Sequence, residues 1–160
     1  MMRAFLTYVR PTLEYASPIW SPHTLKDITA IESVQRRFTK RLTGLFDLNY
    51  HDRLSNLGLE TLELRRIKND LILAYKIIFG LVLTSIKLKI NPYNSTRGHQ
   101  YKLTIPPATC DTRKYHFSVR VTNIWNSLPN TTDFSSLSAF KSTLDNAPLK
   151  NFCKMTPNDV

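Results

Sequence analysis

Glycine is scarce in this chain: four residues in 160, with no two close together. Phosphate-cradling loops of the Walker or dinucleotide-binding kind need glycines a few positions apart, so neither is read here. Cysteine is scarcer still. Cys110 and Cys153 cannot make a disulfide framework, and neither has the close partner that marks a zinc site. His23, His51, His99 and His116 are scattered and read as isolated surface or packing residues. No metal and no cofactor is expected. So little cysteine fits a reducing compartment. The sequence does not name the compartment; if expressed, the chain is expected inside the cell, in nucleus or cytoplasm. Carboxylates are few, 12 against 22 lysines and arginines, and no two aspartates are adjacent. G-x-S-x-G and H-E-x-x-H are missing too, and Cys110 beside Asp111 has no basic activator, so no catalytic residue is expected. Nor is there a long apolar run. Leu71–Leu83 is the most apolar stretch, but Lys76 interrupts it and it is short of the roughly 18–20 residues of a membrane span. Met1–Pro11 has too short an apolar run between Arg3 and Arg10 to read as a signal peptide.

What remains is an ordinary foldable composition with an excess of positive charge. A hydrophobic fraction of 42 % with 21 % charged residues excludes wholesale disorder. The net charge of +10 favours polyanions, either nucleic acid or an anionic membrane surface. It is not held in one tail. Residues 1–80 carry 12 basic and 8 acidic side chains, and residues 81–160 carry 10 and 4. A membrane surface is the poorer partner, because Trp, Phe and the cations are not collected on one helix.

The chain is organised around Thr24–Leu45, TLKDITAIESVQRRFTKRLTGL. Leu25, Ile28, Ile31, Val34, Phe38 and Leu42 recur in steps of three and four, which predicts one apolar helix face. Arg36, Arg37, Lys40 and Arg41 crowd the last turns, where cations also suit the helix dipole. Gly44 reads as the residue that ends the helix. Two readings fit: a core helix with a solvated basic face, or a basic end that rests on a phosphate backbone.

The flanking segments are also helical in pattern. Met2 to about Tyr15 reads as a helix with Pro11 inside it, and Ala16–Pro22 as an extended elbow. Asn49 can cap a short helix over Tyr50–Asn56 that Gly58 ends. Glu60–Phe79 is the most periodic run. Leu64, Ile67, Leu71, Ala74, Tyr75 and Ile78 form its stripe, Arg65, Arg66, Lys68 and Asp70 sit on other faces, and Glu63 suggests a surface pair with Arg66. Residues 81–108 read as an irregular connector with a possible short hairpin at Lys102–Ile105, and Arg97, His99 and Lys102 give it a basic polar surface. A helix over Asp111–Leu128, stopped by Pro129, and a last one over Leu137–Leu144, capped by Ser135 or Ser136, form a C-terminal pair. The predicted fold is therefore mostly α. A helical module spans 1–80, a connector 81–108 and a helical pair 109–146, with a frayed tail over 147–160.

Four segments in this order carry a resemblance: VRPTLEYASPIWSPH (9–23), ESVQRRFTKRLTGL (32–45), DRLSNLGLETLELRRIKNDLILAYKIIFG (52–80), and STRGH with FSVRVTNIWNSLP (95–129) followed by SLSAFKSTLD (136–145). Together they resemble the C-terminal part of the reverse transcriptase of non-LTR (LINE, jockey-like) retrotransposons, over about residues 5–145. In that family the region corresponds to the thumb and the segment after it, downstream of the palm that carries the polymerase aspartates. The resemblance implies descent from an RNA-directed DNA polymerase. It implies a non-catalytic, thumb-like fragment, since the Asp-Asp motif is missing here, and Met1-Met2 falls where the family's chain is already past its palm.

A thumb grips an RNA/DNA hybrid or duplex by its backbone, without reading sequence. The expected nucleic-acid-binding residues are Arg36, Arg37, Lys40 and Arg41, with Arg65, Arg66 and Lys68 next. The missing palm is a second expected partner. Two other readings stay open: a helical protein-interaction module with exposed apolar faces, and a transposon remnant without function. The purified protein is expected to show no primer extension on an RNA template with Mg²⁺ or Mn²⁺, because no carboxylate pair is present to hold two metal ions over a reacting phosphate. Template-dependent incorporation that survives removal of contaminating polymerase would refute this.

Overall fold

The computed structural model describes residues 1–92 and 98–156. The fold is mostly α, as the periodicity predicts, with no named strand among the described residues. Two compact units divide the chain: Met1–Arg66 with the segment from Cys153 onward, and Ile67–Phe152. The division falls inside a helix, not at residue 80 where the sequence pattern puts it. The first turn of that helix is bound by side chains of unit one, where Leu62 and Leu64 are buried, and Ile67 is the first residue of the second unit.

In the first unit the N-terminal run is helical from Met2 to Glu14, but its middle, Phe5–Val9, is π-helical. Pro11 explains this. It has no N–H, and its ring crowds the carbonyl four residues back. Widening the turn before it, with the Arg10 N–H donating to the Phe5 carbonyl, shifts the hydrogen-bond ladder and lets the helix continue. The expected extended elbow after it is corrected. Ala16 takes a left-handed φ of 51°, and Ser17–Trp20 forms one helical turn. Pro18 sits in that first turn, where a missing N–H costs nothing. Trp20 stays 40 % exposed, and its indole N–H donates to the Tyr15 carbonyl at 2.6 Å.

Helix α1 (Leu25–Lys40) starts at Thr24, whose side chain accepts from the Asp27 N–H. Its buried face is not the expected stripe. Ile28, Glu32, Gln35 and Thr39 are buried, while Leu25 and Val34 are exposed. The face is turned by about one residue because Glu32, Gln35 and Thr39 each find hydrogen-bond partners, although Gln35 Oε1 itself stays without one. The Tyr50 hydroxyl donates to Glu32 Oε1 at 2.5 Å, and the Leu62 N–H donates to the two Glu32 oxygens at 3.1 and 2.9 Å. Gln35 Nε2 donates to the Tyr50 oxygen and to the Glu60 carbonyl, both at 3.0 Å. Arg53 donates to Thr39 Oγ1 at 3.3 Å and to the Leu48 carbonyl at 2.6 Å. A bonded polar group no longer carries the penalty that keeps it out of a core. Phe38, from the expected stripe, stacks on Phe5 with centroids 4.1 Å apart.

Helix α2 (Tyr50–Leu57) is capped by Asn49 and ended by Gly58 at φ 60°, as the spacing predicts. Helix α3 (Leu62–Ile78) begins at the Leu62 N–H that Glu32 accepts from. Glu63 and Arg66 do not lie on the surface as expected. Glu63 is buried, and its two oxygens accept from the Lys154 and Met155 N–H groups at 2.8 and 3.1 Å. The C-terminal segment, expected to fray, is therefore docked through Met155; the last four residues of the tail lie outside the described ones.

In the second unit Ile67, Leu71, Ala74 and Tyr75 are buried, as the stripe predicts, and Asp70 is buried with them. Arg120 forks onto Asp70 at 2.9 and 3.1 Å. The expected helix over 111–128 is interrupted. Asp111–Lys114 is one turn, and α4 (Phe117–Asn126) starts anew with His116 Nδ1 accepting from the Ser118 N–H. Ser136 caps α5 (Leu137–Asn146). Tyr75, Trp125, Phe134 and Phe140 share an aromatic core with His99, whose ring nitrogen lies 2.9 Å from the Trp125 carbonyl. The hairpin expected in the connector is reduced to one antiparallel bridge, Ile90 with Leu103.

Glu32 yields a stability prediction. Glu32→Ala strands the Leu62 N–H and the Tyr50 hydroxyl, so it should cost on the order of 3 kcal/mol. Glu32→Gln keeps an acceptor and should cost less. Burial raises the Glu32 carboxyl pKa, although the Tyr50 and Leu62 bonds oppose it. The folded chain therefore holds that proton more tightly than the unfolded chain. Its stabilising contribution is complete below the ordinary carboxyl range and is lost as pH rises through the raised value. In urea titrations at several pH values, wild-type stability relative to Glu32→Gln should fall over that window, and a difference that grows with pH contradicts the account.

Candidate nucleic-acid interface

The seven expected cations meet different fates. Three of them gather. Arg37, Lys40 and Arg41 are exposed at the C-terminal end of α1 and line one open cleft of about 480 Å³. The same cleft has an apolar part, Leu42 and Phe46, and the turn Thr43–Gly44 closes it. Helix α1 ends with Arg41, whose N–H donates to the Phe38 and Thr39 carbonyls. Gly44 is thus three residues beyond the helix cap, at φ 79°, where it redirects the chain instead of ending the helix. A Cβ at Gly44 would meet nothing within 4 Å, so the backbone there is open to approach.

Phe46 is the residue that sequence reasoning did not single out. Its ring is 65 % exposed, and Lys40 Nζ lies 5.1 Å from the ring centroid. The signal available in the sequence is slight: an aromatic in a run of turn residues two positions after a glycine. None of the three cations of the cleft is in an ion pair among the described residues, and no carboxylate lines the cleft. Clustered cations attract anions, and the C-terminal end of the helix dipole acts locally with the opposite sign.

The other four are turned inward or paired. Arg36 is half-buried, with its guanidinium 5.3 Å from the Tyr50 ring centroid. Arg65 forks onto Glu14, with Nε donating to Oε1 and Nη2 to Oε2, and this bond raises the Arg65 pKa against the opposing effect of burial. Arg66 is 2 % exposed. Lys68 pairs with Asp145 at 2.6 Å in the second unit. Of the connector's basic residues, Lys102 donates to the Asn126 carbonyl and His99 is in the aromatic core, while Arg97 lies outside the described residues.

Among the described residues no group of three or more His, Cys, Asp or Glu side chains is placed to hold a metal ion. No helix among them is long and apolar enough to cross a membrane. Comparison with known proteins identifies no matching family, no similar curated protein and no similar solved structure.

The division of labour within Arg36-Arg37 is testable. Arg36→Ala removes a cation stacked over a buried ring and should destabilise the chain by about 1–2 kcal/mol. Arg37→Ala, Lys40→Ala and Arg41→Ala should leave the urea midpoint unchanged within error. Equal losses at Arg36 and Arg37 would mean that both are structural.

Proposed function

We propose that this chain is a non-catalytic, thumb-like C-terminal piece of a reverse transcriptase of the non-LTR retrotransposon kind, and that it holds an RNA/DNA hybrid or duplex by its backbone. The observation that carries this reading is the exposed trio Arg37, Lys40 and Arg41 on one cleft without a carboxylate. The QRRFTKR segment that bears it is also one of those on which the resemblance rests. Cations on long, mobile side chains suit phosphates. Reading of base edges would call for amide or bidentate side chains aimed into a groove, and no Asn or Gln lines this cleft.

A second reading has its own support. Tyr8, Val9, Tyr15, Ile19, Trp20 and Leu25 are all exposed within the first 25 residues. So much apolar surface suits a protein partner such as the palm that precedes a thumb. The two readings are compatible in one molecule, since the cleft and the N-terminal apolar residues involve different side chains.

Fluorescence anisotropy with labelled hybrid at several salt concentrations tests the first reading. If three phosphates are neutralised, log K should fall with log salt at a slope on the order of −3. The Arg37, Lys40, Arg41→Ala triple variant should remain folded and lose most of that slope. An unchanged slope in the folded triple variant would leave the trio as a solvated face and sink the proposal.

A further inference from the structure

We infer that the cleft at the end of α1 takes one unpaired nucleotide, with its base against Phe46 and its phosphate among Arg37, Lys40 and Arg41; this rests on the nucleic-acid reading above and adds to it. Backbone grip accounts for the cations but not for the ring. A phenyl ring 65 % exposed to water gains nothing from solvent, and here it shares its cleft with three cations. An aromatic platform set among positive charges is the arrangement on which single-stranded bases stack, because every base has a π-face and every nucleotide a phosphate. Paired bases inside a duplex are stacked on one another and cannot reach such a ring. The cleft is open to solvent, so the end of a strand can reach it, and Leu42 offers a second apolar contact. Gly44 leaves the backbone side unobstructed. Lys40 then serves twice: its ammonium lies over the ring, at 5.1 Å, and beside the position a phosphate would take.

The occupant is therefore an unpaired residue at a strand end or overhang, chosen by stacking and not by sequence. The test uses the whole chain and two probes: a blunt RNA/DNA hybrid, and the same hybrid with an unpaired single-stranded overhang. Wild type should prefer the overhang by about tenfold, since one stacked base is worth about 1–3 kcal/mol. Phe46→Ala should abolish the preference while keeping the blunt-hybrid affinity and its salt slope. Phe46→Trp should keep the preference, and its fluorescence should be quenched by the overhang probe but not by the blunt one. Equal affinity for both probes in the wild type, or a preference that survives Phe46→Ala, overturns the inference and leaves the backbone reading standing. Failure of both probes to bind overturns both readings.

Discussion

The carboxylate of Glu32 is the contact on which the first unit depends. It lies on α1, is fully buried, and holds the Tyr50 hydroxyl from α2 and the first N–H of α3 at once. Three helices thus meet on one side chain. The first N–H groups of a helix have no partner within it, and a carboxylate there also meets the positive end of the dipole. Burial opposes the charge and raises the pKa of Glu32, while the Tyr50 and Leu62 bonds work the other way. The same burial, with the neighbouring Glu32 charge, raises the Tyr50 pKa, so the hydroxyl stays a donor. Glu63 repeats the device in reverse: a helix carboxylate accepts two N–H groups from the C-terminal segment and fastens it to the unit.

The second unit solves the same problem in another way. Among its described residues no sheet pairs the connector, and side chains stand in for a neighbouring strand. Asn126 accepts from the Leu103 N–H at 2.7 Å and donates to the Leu103 carbonyl at 2.8 Å, as a neighbouring strand would. On the other side Asn91 donates to the Lys102 carbonyl and Thr104 to the Lys89 carbonyl. Leu103 is held between the two and is 2 % exposed. Its backbone polar groups would otherwise be buried without partners, so an irregular segment can enter a core here. Asp70 and Arg120 make the corresponding link between α3 and α4, and the Tyr115 carbonyl accepts a further hydrogen bond from Arg120. One exposed partner would make this pair weak. Asp70 is nearly inaccessible, so loss of Arg120 would take a bidentate partner from a buried charge.

Helices were legible in the sequence and their buried faces were only partly so. Periodicity located α1, α3 and α5, and Asn49 and Gly58 fixed ends because capping is a local matter, whereas the cap of α5 was legible only as Ser135 or Ser136 and the structure uses Ser136. The stripe of α3 was right at Ile67, Leu71, Ala74 and Tyr75. The face of α1 was misread because Glu32, Gln35 and Thr39 count as polar in any pattern, and their partners lie 14 to 30 residues away. Arg66 and Asp70 were likewise placed on outer faces, and their burial depends on tertiary contacts that no helical wheel contains. The π-helical turn could be foreseen only as a disturbance at Pro11. Of the candidate site, the cationic run was plain, but Phe46 joined it through a turn whose path is set by Gly44 at positive φ.

The basic surplus of this chain is not the charge that its surface offers at any one place. Arginine and lysine can be consumed by the fold in ways that composition does not record. Arg53 bonds Thr39 and Leu48, Arg65 forks onto Glu14, Arg120 forks onto Asp70, and Lys102 reaches the Asn126 carbonyl. Guanidinium groups are suited to this, since five donors in a plane can satisfy several acceptors at once and the charge never has to be given up. The residues left for a partner are then those for which the fold has no acceptor. At the end of α1 the reason is geometric. Thr39 and Gln35 turn inward and take Arg53 and Tyr50, which rotates Arg37, Lys40 and Arg41 outward past the last turn. The polar core and the exposed trio are two sides of one helix: the face of α1 that carries Glu32, Gln35 and Thr39 is buried, Arg36 beside it is half-buried against Tyr50, and Arg37, Lys40 and Arg41 lie away from it in solvent.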